Sequence, residues 1–185
     1  MNNSLLAGRY AKALLLQAES EGVAERLYGL LRPAVRGALA AQEVVRVLVS
    51  PTHTKSQKRA VLTHLSDEEW PELWGRFVDL VLAGDREDFV PQMALRYLNL
   101  YRERHNVVLV RLTTTHPAES DIVGRIKTLV ADYYGGAVVE MDEVVDPSIE
   151  GGFVLSVGDK QLDASLRGQL DKIRNQLLRK NKTLV

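Results

Sequence analysis

The chain has 185 residues, enough to build a sizeable core in one large domain or two small ones. Hydrophobic residues make up 45% and charged residues 26%, an ordinary globular composition, and 24 Lys plus Arg balance 24 Asp plus Glu. Zero net charge argues against a dedicated nucleic-acid binder, whose affinity rests on phosphate neutralisation, and the lack of cysteine excludes disulfides, thiol nucleophiles and thiolate metal sites.

From the start, Leu6, Tyr10, Ala13, Leu14 and Gln17 follow three- and four-residue spacing, which predicts a helix over about Asn3 to Ser20, closed by Gly22. A second helical pattern runs from about Val23 to Ala40, with Pro33 inside it either as a kink or as a new start. A short helix from Glu43 to Val49 stops at Ser50-Pro51. Thr54 to Gln57 reads as a capping box, a Thr hydroxyl and a Gln side chain exchanging bonds with each other's amides, opening a helix through Leu65. Trp70, Leu73, Trp74, Phe77, Val78, Val81 and Leu82 then form an apolar helix broken at Gly84-Asp85, and a last helix spans about Asp88 to His105.

Near Asn106 the period changes. Val107 to Thr115 is rich in β-branched residues and reads as a strand. Pro117 suits the first turn of a helix carrying Ile122, Ile126, Leu129, Val130 and Tyr133, stopped by Gly135-Gly136. Strands follow at Ala137 to Val145, Gly152 to Val157 and Lys160 to Leu162, the last two joined by a Gly158-Asp159 hairpin turn. Leu166, Leu170, Ile173 and Leu177 mark a final helix. The expected fold class is α+β: a helical bundle over 1–105 and a small α/β domain over 106–185.

Chemistry is hard to find. His53, His64, His105 and His116 lack the spacing of a helical zinc motif, and Glu140, Asp142, Glu143 and Asp146 lack a calcium loop's closing ligand. Alternation would turn Glu140 and Asp142 together toward solvent. Gly151-Gly152 is not followed by the Lys-Ser or Lys-Thr of a phosphate loop, so it reads as a turn. Arg174, Arg179, Lys180 and Lys182 suit a solvated helix terminus. No catalytic, metal or cofactor residue is expected. No apolar run reaches the roughly 20 residues of a spanning helix, and Met1-Asn2-Asn3-Ser4 lacks a basic signal-peptide start.

The first helix and the Trp70 to Leu82 helix are instead too apolar for a bundle surface, which needs only about 100° of apolar arc. Either both are central in the bundle, or they form a groove for a partner's amphipathic helix.

Several segments resemble the ATP synthase δ subunit family, called the oligomycin-sensitivity-conferring protein in mitochondria. They are Arg9-Tyr10-Ala11-Lys12-Ala13-Leu14; Ser50-Pro51 with Lys55, Lys58 and Arg59; Asp146-Pro147-Ser148-Ile149-Glu150-Gly151-Gly152-Phe153; and Gly158 to Lys160 with Asp163 to Arg167. Gly8 departs from the larger residue often found there. The resemblance implies a six-helix N-terminal domain whose first and fifth helices bind N-terminal helices of the ATP synthase α subunits. It implies a C-terminal domain meeting the peripheral-stalk b subunits, in a stator on the cytoplasmic face of the bacterial inner membrane, without insertion into it. The candidate partner contacts are Leu6, Tyr10, Leu14, Phe77 and Val81 or their near neighbours, with Leu14→Glu as the diagnostic change. Asp146, Pro147, Gly151, Gly152 and Asp163 are read as fold-specifying, Asp163 as the N-cap of the last helix. The rival readings are a generic helical adaptor with an α/β appendage and an enzyme with an unrecognised site.

Overall fold

The computed structural model describes residues 3–158 and 160–170, with no account of the Asn3 and Ser4 side chains. The chain divides into two compact units between His105 and Asn106. Ile173, Leu177, the basic residues after them and Asp159 lie outside the described residues.

The first unit is helical: α1 (Asn3–Ser20), α2 (Ala24–Arg36), α3 (Gln42–Val49), α4 (Lys55–Thr63), α5 (Glu72–Ala83) and α6 (Val90–Arg104). Pro33 starts no new helix. It lies inside α2, whose last turn ends at Arg36, and a 3-10 turn over Ala38–Ala40 follows. Proline lacks the amide that Gly29's carbonyl would need, so one helical bond is missing just before the helix stops. The Thr54 box forms as the sequence predicts: Gln57 N–H donates to Thr54 Oγ1 at 3.3 Å and Thr54 N–H to Gln57 Oε1 at 2.9 Å. Its helix ends at Thr63 rather than Leu65. α5 begins only at Glu72, behind Pro71, so Trp70 lies ahead of it.

Small residues let α1 approach α6, its main neighbour: Ala7, Ala11 and Ala18 are buried on its core face. Leu27, Leu31, Trp74, Met93 and Tyr97 are wholly buried, each such apolar side chain worth about 1.5–3 kcal/mol. The polar tips among them are satisfied. Trp74 Nε1 donates to Leu62 O at 2.8 Å, and Tyr97 Oη to Ala24 O at 3.0 Å.

The second unit is a mixed sheet of β1 (Val107–Thr114), β2 (Val138–Val145), β3 (Phe153–Val157) and β4 (Lys160–Asp163), in the order β2-β1-β3-β4. β1 and β2 run parallel through α7 (Ser120–Tyr133); the other pairings are antiparallel. β1 is central, and its Val110 and Leu112 are buried. Gly135 and Gly136, at φ of +67° and +81°, end α7 as predicted. Pro117 does not open that helix. α7 begins after Glu119, whose ψ of 139° is still extended. Asp142 does not face open water either: it stands opposite Arg111 in the register, accepts from its Nε at 3.0 Å, and is covered by it.

Candidate partner-binding groove

Two stripes of equal spacing face each other across α1 and α5. Tyr10, Ala13, Leu14 and Gln17 form one; Leu73, Arg76, Phe77 and Leu80 form the other. Both read i, i+3, i+4, i+7, the row that lies on one side of a helix. Between them runs a shallow groove of about 300 Å³.

Its floor is aromatic and largely buried. Phe77 stacks on Trp74 with centroids 5.5 Å apart, and Tyr10 meets Phe77 edge-on at 6.4 Å. Leu14 and Phe77 are only 3% and 6% exposed, whereas Leu80 stands 59% exposed at the rim. Arg86 donates to the Tyr10 hydroxyl and lies over its ring, 5.5 Å from the centroid, which fixes the tyrosine. Beyond Gln17, the Arg76 guanidinium grips both oxygens of Glu21 at 2.6 and 2.7 Å. Gln17 and Arg76 together hold the Glu21 carboxyl below its ordinary value. Arg76 is thereby neutralised, and the groove offers an apolar slot with little net charge. Such a slot fits the apolar face of an amphipathic helix.

Of the residues chosen from the sequence, the structure brings Tyr10, Leu14 and Phe77 together in this groove. Val81 has no exposed surface and supports it from the core, while Leu6 is half-buried outside the lining. Ala13, Gln17, Leu73, Arg76 and Leu80 also line it; the sequence names the first three only as members of a helical pattern, not as contacts. Continuing each stripe by its own spacing from Tyr10 and from Phe77 finds all five.

The Asp146 to Gly152 stretch builds a clasp. Asp146 Oδ1 accepts the Ser148 amide at 2.9 Å, and Ser148 holds that carboxyl below its ordinary value. Pro147 opens a 3-10 turn over Pro147–Ile149, capped by Glu150, which is left-handed at φ 64°. Gly151 O accepts the Leu166 amide at 2.9 Å, and a Cβ on Gly152 would stand 2.2 Å from Ala164 O. Asp163 is not the N-cap. Residues 166–170 are helical, and Ser165 Oγ accepts from Gly168 N–H at 3.0 Å in the capping position. Asp163 Oδ1 sits one layer back, accepting from Ser165 N–H at 2.9 Å and from its hydroxyl at 2.6 Å. Among the described residues, no group of three or more His, Asp or Glu could hold a metal ion.

Comparison with known proteins supplies a family. The model of the ATP synthase delta (OSCP) subunit family matches residues 6–177. The ATP synthase subunit delta of Bacteroides fragilis is 35% identical, with 100% of both chains aligned. That of Synechococcus elongatus is 35% identical over 93% of this chain and 96% of its own. In fold, the chain is similar to one in the cryo-EM structure of the Toxoplasma gondii mitochondrial ATP synthase hexamer, with a TM-score of 0.69 and 24% identity, covering 94% of this chain and 97% of the other.

Proposed function

The chain belongs to the ATP synthase delta (OSCP) subunit family, a structural and not a catalytic part of that enzyme, and we propose that it is the stator link of a rotary F-type ATP synthase. The observation that carries this reading is the apolar α1/α5 groove on the helical bundle. In this reading the helical unit, residues 1–105, takes an N-terminal helix of an α subunit there and so grips the catalytic head.

The α/β unit, residues 106–185, meets the peripheral-stalk b subunits. An apolar recess of about 540 Å³ supports this, lined among others by Leu112, Ile122, Ile126, Leu129 and Phe153. Attachment to the bacterial inner membrane, on its cytoplasmic face, runs through these partners in this reading; among the described residues no helix is long and apolar enough to cross a membrane. Two modest contacts on one covalent chain gain from each other, because engaging one raises the effective concentration of the second. The head is thereby held against the torque of the rotor, and proton-driven rotation is coupled to ATP synthesis. No cofactor takes part.

A generic adaptor would share the folds but not the partners. Purification of the tagged chain from gently solubilised membranes tests the point: α, β and b subunits co-purify, and the isolated chain hydrolyses no ATP. Recovery of the chain without them overturns the reading.

A further inference from the structure

α1 carries a second groove, on the flank away from the first. Its lining residues on α1, among them Leu5, Arg9, Lys12 and Leu16, are centred about 150° round the helix from the Tyr10 stripe at 3.6 residues per turn. Across from them stand Arg96, Leu100, Glu103 and Arg104 of α6, and the space between is about 860 Å³.

Three features distinguish this groove. Leu5 and Leu16 leave apolar surface uncovered, 68% and 46% exposed. Gly8 lies within the lining, in a helix interior where glycine is weaker than alanine. Nothing among the described residues requires it: its φ is not positive, and an added Cβ would meet none of their atoms within 4 Å. The space it leaves is available to a backbone approaching from outside. Charge is the third feature. Arg9, Lys12, Arg96 and Arg104 face a single lining carboxylate, Glu103. Arg104 is paired with Glu19 at 2.7 Å and Arg96 reaches Glu103 at 3.8 Å, but Arg9 and Lys12 make no ion pair among the described residues. The α1/α5 groove differs here, because Arg76, its lining cation, is already matched by Glu21.

We propose that the α1/α6 groove is a second docking site, taking an amphipathic helix whose apolar stripe is flanked by acidic residues. The apolar stripe covers Leu5 and Leu16, the helix backbone settles over Gly8, and the acidic flank pairs with Arg9 and Lys12. Because the two grooves use different flanks of α1, occupation of one leaves the residues of the other free.

The test is fluorescence anisotropy on the full chain. The probes are a labelled amphipathic peptide with a leucine stripe flanked by glutamates, and its twin flanked by lysines. The glutamate peptide binds about tenfold or more tighter than the lysine twin, and added salt weakens it. Joint Arg9→Glu and Lys12→Glu substitution weakens it about tenfold, as does Gly8→Leu, which fills the groove from a position with open space around it. Leu80→Glu, in the other groove, leaves it unchanged. Circular dichroism confirms each fold; if the double reversal unfolds the chain, Gly8→Leu alone decides. The proposal is overturned if the glutamate peptide fails to bind or binds no tighter than its twin. It is equally overturned if a folded groove variant keeps full affinity, or if Leu80→Glu is what abolishes binding.

Discussion

The Lys58 ammonium lies 2.7 Å from Glu87 Oε1, with both side chains almost sealed from solvent. It also donates to Leu48 O at 2.7 Å, in the last turn of α3. One lysine on α4 thus ties α3 to the turn that leads into α6. Glu87 Oε2 finds no hydrogen-bond partner among the described residues, so the lysine is that carboxylate's chief compensation.

Lys58→Met should therefore strand a buried carboxylate and cost about 3–5 kcal/mol. Adding Glu87→Leu should restore most of that loss, because a desolvated ion pair is often no better than apolar packing. Urea unfolding followed by helical circular dichroism measures both. A single substitution costing less than about 1 kcal/mol would show that water reaches the site.

Gly152→Ala should be far costlier than Gly158→Asn. Gly152 has φ +71° and no room before Ala164 O, whereas a Cβ added to Gly158, at φ +55°, would meet no atom of the described residues within 4 Å. The first change should cost about 3 kcal/mol or more and the second a few tenths at most, roughly, since asparagine tolerates the left-handed region. Thermal unfolding of the full-length variants compares them. Equal losses would show that backbone conformation, and not the close approach, sets the cost.

Acid should destabilise the fold. Hydrogen bonding to Arg59, Lys55 and Ser148 holds Asp79, Asp85 and Asp146 below their ordinary 3.8, and Gln17 with Arg76 holds Glu21 below 4.5. A depressed folded-state value means that the folded chain binds fewer protons than the unfolded one. The stabilisation is complete above the unfolded values and is lost as pH falls through the folded ones. The melting temperature should be flat with respect to these groups above about pH 5 and should fall below it. Asp79→Asn should remove part of the acid slope. A melting temperature that rises on acidification would reverse the sign.

Much of the fold was legible because it is local. The Thr54 box, the glycine stops and the switch to β-branched residues at Val107 each involve neighbours in sequence. Part of what was missed depends on contacts across the chain, and part on which of two neighbouring polar residues takes a cap. Lys58 and Glu87 are 29 residues apart, and nothing in either segment announces their pairing. Asp163 has the right chemistry for a cap, but Ser165 stands three residues before the amide that needs one. Val81 fits the apolar pattern of α5 as well as Phe77 does, yet periodicity alone does not tell a core stripe from a groove stripe. The excess apolar surface of α1 was visible, while its division into a core face and two grooves needed the neighbouring helices in place.

Placement also changes which substitution is informative. Leu14 is buried in the groove floor, so Leu14→Glu would bury a charge and disturb the bundle itself. Leu80 is on the rim and can carry a glutamate without unfolding it.

The most direct measurement is calorimetric titration of the α-subunit N-terminal peptide, from the same ATP synthase, into three folded proteins: wild type, Leu80→Glu and Val49→Glu, the last an exposed apolar position on α3. Wild type and Val49→Glu should bind alike, and Leu80→Glu should bind more weakly by about 2 kcal/mol, roughly thirtyfold. Equal affinity for Leu80→Glu and wild type would contradict the assignment of the α1/α5 groove as the grip on the catalytic head.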